Sequence, residues 1–186
     1  MSPLMRRFFR IFNRLFMVPM FRLGLGPLVG NPLTGYIMVL KTVGRTSGKV
    51  RYFPVNYTIH RGAFYCISGG RRTSDWYRNL IANPEVEILL PGGPVFARAE
   101  ETTDPTERLT VIRQVLRNAG FAGFFEGYNP YKISADELAA RTSDLPVLRF
   151  RPLGLANGAF DAGGWAWAGG LIVTVALVCC LVALLA

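Results

Sequence analysis

No aspartate or glutamate occurs before Asp75, although the chain runs to 186 residues. That acid-free stretch holds 12 of the 21 lysines and arginines, and the whole chain carries a net charge of +9. A basic half without acids implies an anionic partner: phosphate, a membrane surface or nucleic acid. Histidine is also nearly absent. His60 is the single one, so a Ser-His-Asp or Cys-His mechanism would have to use a residue at an expected turn. The three cysteines, Cys66 in an expected strand and the adjacent Cys179 and Cys180, form neither a disulfide framework nor a zinc-ligand spacing. Between Tyr36 and Pro152 there is no internal repeat and no low-complexity tract. After Asp161 there is no charged residue at all.

That last absence creates a long apolar run, Gly163–Ala186. As a helix it would extend roughly 30–36 Å, the thickness of a bilayer core. Trp165 and Trp167 stand at its start, where indoles favour the interface. The expectation is one C-terminal transmembrane helix. The positive-inside tendency then places the basic domain on the cytoplasmic side. At the other end Arg6, Arg7, Arg10 and Arg14 recur at helical spacing opposite Met5, Phe8, Phe9, Phe12, Leu15 and Phe16. This pattern fits a basic amphipathic helix on anionic lipid, or an ordinary packed helix. Membrane lipid accounts for the basic charge better than nucleic acid does, and no nucleic-acid partner is expected.

The middle of the chain reads as short strands: 36–41, 50–59, 64–68, 86–90, 95–101 and 146–150. Turn signals at 44–48, Arg61-Gly62 and Pro91-Gly92-Gly93-Pro94 separate several of them. Helices are expected from Ser74 to Ala82, from Asp104-Pro105-Thr106-Glu107 to about Asn118, and from Ser134 to Arg141. Periodicity thus gives a small, mostly antiparallel barrel with outer helices, α+β or β-barrel in class. The expected organisation is an N-terminal helix and linker at 1–27, the barrel domain at 33–152, a linker at 153–162 and the apolar helix at 163–186.

Two loops can carry chemistry. Gly44, Arg45, Thr46, Ser47 and Gly48, followed by Lys49 and Arg51, combine close backbone approach with planar cations, which suits an anion. A solvated basic face is the alternative. Ser68-Gly69-Gly70-Arg71-Arg72-Thr73-Ser74 joins a strand to a helix and is either a second anion site or a plain connection. Trp76 and Tyr77 could stack on a planar cofactor or pack into the core, and Tyr128 and Tyr131 could orient a carbonyl or donate a proton.

The ordered set Thr42–Arg51, Pro54, Ser68-Gly69-Gly70, Trp76–Pro84, Tyr128 and Tyr131 resembles the deazaflavin-dependent nitroreductase family of split β-barrel, flavin-reductase-like proteins. The resemblance covers roughly 38–152. It implies an α+β fold, a six-stranded split β-barrel (FMN-binding-like) with peripheral helices, and an oxidoreductase using the deazaflavin coenzyme F-420. By this resemblance Gly44, Arg45, Thr46, Ser47, Gly48, Arg51, Pro54, Gly69, Gly70 and Arg71 would hold the cofactor. Tyr128, Tyr131, Trp76 and Ser68 would border the substrate. Thr46 and Gly69 depart from the lysines common in relatives, which keeps FMN as the alternative cofactor. With a membrane anchor, the expected acceptor is a hydrophobic quinone or nitro compound. The rival readings are a non-catalytic cofactor- or lipid-binding protein, and an accessory subunit with an integral-membrane partner. No metal is expected, and oligomeric state is open.

Overall fold

Antiparallel pairing closes six strands into a barrel in the order β1-β2-β3-β6-β5-β4. A computed structural model describes residues 9, 11–32, 34–120, 123, 129–156 and 166–185, the last group with side chains only at 172–184. The strands are β1 (Ile37–Val43), β2 (Val50–His60), β3 (Ala63–Ile67), β4 (Glu85–Leu90), β5 (Gly93–Glu101) and β6 (Val147–Leu155). Around them lie α1 (Val18–Arg22, preceded by a π-helical turn at Asn13–Met17), α2 (Gly26–Val29), α3 (Asp75–Ala82), α4 (Pro105–Asn118), α5 (Ala135–Thr142) and α6 (Ala166–Leu185).

Strand periodicity explains the core. Met38 and Leu40 of β1 point into the barrel and pack with Ile88, Leu148 and Phe150. Val39 between them points outward, yet it is fully buried, because α1 covers it. Val39 pairs with Leu89 of β4, and Met17, Val18 and Phe21 lie on this two-strand apolar patch. Each such side chain taken from water contributes about 1.5–3 kcal/mol. The part of the N-terminal segment at Met17–Phe21 is therefore a packed helix; residues 1–8 and 10 lie outside the described residues. A second outer patch on β3 and β6, Tyr65 and Val147, is covered by Val111, Ile112 and Leu116 of α4.

The caps at α4 and α5 follow the sequence. Asp104 Oδ1 accepts from the Glu107 amide at 2.7 Å, and Ser134 Oγ accepts from the Glu137 amide at 3.2 Å. Ser74 stands at the N-cap of α3 but makes no capping bond. Its hydroxyl is used in the preceding turn, on the Arg71 carbonyl and on Ser68 Oγ.

Two expectations about the C-terminal part meet different geometry. The linker expected at 153–162 begins inside β6, which pairs with β5 as far as Leu155; Val95 opposite Leu155 extends the ladder. The bulge between Phe96 and Ala97 lets this pairing continue. The transmembrane helix expected at 163–186 is not found: among the described residues no helix is long and apolar enough to cross a membrane. α6 does run from Ala166 to Leu185 without a charged residue.

Candidate active site

β2 changes partner along its length. Tyr57–His60 pairs with β3, whereas Val50–Asn56 pairs with β1 alone. No described strand covers the other edge of that first half, so the barrel is split there. An open edge presents backbone N–H and C=O groups in a row.

Three voids follow this stretch. A pocket of about 310 Å³ is lined by Gly44, Arg45, Thr46, Ser47, Arg51, Phe53, Asp75 and Asn79. A larger groove of about 750 Å³ shares Arg51 and Phe53 with it and adds Tyr52, Pro54, Trp76, Arg14 and Arg22. A third cavity of about 370 Å³ shares Pro54, Phe9 and Asn13 with the groove. The three voids thus lie side by side, from a cationic end to an apolar end.

The cationic end is held by α3. The Asn79 side chain is buried, and its Oδ1 accepts from the Arg45 backbone N–H at 3.2 Å and from the Arg45 guanidinium at 3.0 Å. Asp75, one helical turn earlier, accepts from the same guanidinium at 3.2 Å. The loop also closes on itself, through Gly44 N–H to Lys49 C=O at 2.9 Å and Gly48 N–H to Gly44 C=O at 2.8 Å. Gly48 sits at φ +64°, a left-handed conformation that favours glycine. At Gly44 a Cβ would meet Ser47 Oγ at 2.8 Å and the Lys49 carbonyl at 3.2 Å, so this glycine lets the loop fold back. Among the described residues, the amides of Thr46 and Ser47 and the cations of Lys49 and Arg51 make no hydrogen bond or ion pair. That combination suits an anion.

The second glycine loop is organised differently. Ser68 is fully buried, and its hydroxyl is held between the Arg71 carbonyl and Ser74 Oγ, so it is a structural knot and lines none of these three voids. Arg71, left-handed at φ 54°, pairs with Asp144. Arg72 and the Tyr77 hydroxyl both donate to Glu101; burial first, then this bond, raises the Tyr77 pKa. Gly69, Gly70 and Arg71 line none of the three voids, because these ion pairs draw the turn toward β5 and the end of α5. Tyr131 is also elsewhere: its ring lies under the Arg117 guanidinium, 5.4 Å away at the end of α4. Tyr128 lies outside the described residues. Trp76 does line the groove, and so does Pro54.

Sequence reading missed Asp75 and Asn79, although their spacing of four on one helix was a signal. It also missed Tyr52 and Phe53 on β2, and Asn13, Arg14 and Arg22, whose approach depends on how α1 packs. The Arg22 guanidinium lies 5.0 Å from the Tyr52 ring centroid, a cation–π contact across the groove.

A family model described as F420H(2)-dependent quinone reductase matches residues 16–129. The chain belongs to that family. Its members' dependence on F420H(2) implies the deazaflavin coenzyme F420, and the protein is accordingly an enzyme of this class. No curated protein matches the chain. Similar solved structures include an F420-H2 dependent reductase (FDR-A), at 24% identity over 62% of this chain and 93% of that one, with a TM-score of 0.41. An F420 reductase is 20% identical over 70% and 94%, with a TM-score of 0.43. The heme storage protein HutZ from Vibrio cholerae is 16% identical over 73% and 87%, with a TM-score of 0.44.

Proposed function

We propose that this quinone reductase lays F420 along the open edge of β2, with its anionic tail in the Gly44–Arg51 loop, and that it is held at a membrane where its quinone is dissolved. The observation that carries the reading is the row of adjoining voids from Arg45 and Arg51, past Pro54 and Trp76, to the apolar cavity. The donor set fits such a cofactor. Arg45, Arg51, Lys49 and the free Thr46 and Ser47 amides would bind phosphate or carboxylate, and Asn79 would orient the loop. Pro54, which lacks an N–H, and Trp76 would flank the ring.

The reduced deazaflavin supplies a hydride when bound. Reduction of a quinone to its quinol needs that hydride and one proton. Phe53, Trp76 and Tyr52 would exclude water from the acceptor and fix its distance. Tyr52, the tyrosine that lines the groove, would donate to the quinone oxygen, in place of Tyr131. FMN would meet the same loop through its phosphate, and a nitro compound would use the same acceptor space.

Membrane attachment rests on α6. It carries no charged residue from Ala166 to Leu185, which suits contact with lipid. Its described apolar side chains, Leu177 and Leu184 among them, are exposed. The basic domain would face the cytoplasm.

Titration of the detergent-purified full chain with F420 tests the cofactor site, followed by flavin absorbance. Saturable micromolar binding weakened about tenfold or more by Arg45→Ala and Arg51→Ala is expected. Binding of neither F420 nor FMN would overturn the reading. Membrane attachment is tested by fractionating a chain that lacks 163–186. A shift from the membrane pellet toward the supernatant supports it, and unchanged distribution refutes it.

A further inference from the structure

The cavity at the apolar end has walls of one kind. Phe9, Phe12, Phe16 and Met17 form a roof from the N-terminal helix, and Ile37 and Val55 form the floor on β1 and β2. Leu28 and Val29 of α2 close the side. The Phe12 and Phe16 rings meet at 5.1 Å between centroids, tilted by 31°.

Two of the three polar residues described in that wall are already occupied. Thr34 Oγ1 donates to the Val29 carbonyl at 2.6 Å, and Asn56 Nδ2 donates to the Tyr36 carbonyl at 3.3 Å. Among the described residues no charged side chain lines the cavity. Such a space gains nothing by holding water and favours an apolar occupant. Asn13 differs: among the described residues its side chain makes no hydrogen bond, and it stands with Phe9 and Pro54 where the cavity joins the groove. Leu28 is 69% exposed and Phe16 43% exposed, so the rim leaves large apolar side chains in water.

We infer that this cavity is a binding site for a hydrocarbon chain, the tail of the lipid-soluble acceptor, and that the N-terminal helix forms its roof. The placement gives the acceptor two parts. The chain enters beneath Phe12 and Phe16, and the head stays at the neck, where Asn13 Nδ2 can donate to a ring carbonyl beside Pro54 and Trp76. A tailless quinone would bind the neck alone and lose the burial energy of the cavity, which scales with apolar area.

The assignment rests on the quinone-reductase reading for the head but not for the chain, so two readouts separate them. The first uses the full chain without cofactor and a fluorescent polyene fatty acid, displaced by a quinone with a three-isoprene tail, by the same quinone without its tail, or by palmitate. Displacement by the tailed quinone but not the tailless one assigns a quinone tail. Displacement by palmitate alone assigns a free acyl chain; both outcomes support a chain site. No binding of the polyene and no displacement by either chain overturns it, whatever the reductase activity. The second readout is the KM ratio, tailless over tailed, under F420H(2). A ratio of about tenfold or more is expected in the wild type and about unity in Phe16→Asp and Leu28→Asp. Ile59→Asp alters an exposed apolar residue outside the cavity and should retain the wild-type ratio. An unchanged ratio in both cavity variants refutes the assignment. Absent turnover with intact polyene binding refutes the function and leaves the chain site standing.

Discussion

Asn79→Ala removes one side chain that the fold uses twice. Its oxygen accepts the Arg45 backbone N–H and the Arg45 guanidinium, at 3.2 and 3.0 Å, from a buried position on α3. The first bond is neutral and contributes about 1 kcal/mol; the second is charge-assisted and contributes about 1.5 kcal/mol or more. Arg45 keeps Asp75 as a partner, which argues for the lower end, so the total loss is about 2–3 kcal/mol. That energy divides between two readouts. If the loop stays ordered until global unfolding, the melting temperature falls by about 2–4 °C per kcal/mol. If the loop detaches first, ordering it is set against ligand binding, and the F420 dissociation constant rises by up to about 30–150-fold. Urea denaturation and an absorbance titration on the same preparation measure both. Asn79→Asp keeps an acceptor in place but adds a negative charge beside Asp75; it should preserve the fold and still weaken an anionic ligand. An Asn79→Ala protein that binds F420 within about twofold of the wild type and unfolds at the same urea concentration would refute the anchoring role.

Three further perturbations address other parts of the molecule. Phe150→Ala empties a fully buried position in the barrel centre and should cost about 3–5 kcal/mol, seen as a lower urea midpoint with an unchanged slope. Gly44→Ala forces a Cβ against Ser47 Oγ and the Lys49 carbonyl; F420 affinity should fall more than global stability, by about tenfold, and an unaltered titration would contradict the tight fold-back. Glu107 accepts from Thr102, Tyr65 and Arg149, and the Thr102 and Tyr65 bonds chiefly hold its folded pKa below the ordinary glutamate value. Its contribution to stability is present above the unfolded pKa, near 4.3, and is lost as pH falls through the folded one. The wild type should therefore lose urea resistance below about pH 5, and Glu107→Gln should show a shallower acid loss; identical acid limbs would remove Glu107 from the network.

The six strands and the three helices α3, α4 and α5 were legible because their signals are local. Alternating apolar residues, the Asp104 and Ser134 caps, and the turn at Arg61-Gly62 each act over a few residues. The Gly44–Gly48 loop was legible for the same reason, since its glycines and hydroxyls close it without distant help. The glycine loop at 68–72 looked equally suited to a ligand, yet Arg71 is committed to Asp144 and Arg72 to Glu101. Those acids are far away in sequence, so no local pattern distinguishes a free arginine from a paired one.

By itself the chain determined a basic N-terminal half, a six-stranded antiparallel pattern and a loop that can hold an anion, because hydrophobic period, capping and glycine conformations are properties of neighbouring residues. Tertiary packing decided which cations stay available, that β2 keeps an open edge, and that Phe12, Phe16 and Met17, just ahead of α1, line an apolar cavity beside it. Each of these depends on surfaces distant in sequence meeting: Val39 and Leu89 against Phe21, Asn79 against Arg45, Phe16 above Val55. Burial and charge pairing are settled by such meetings, and that is where the site was made.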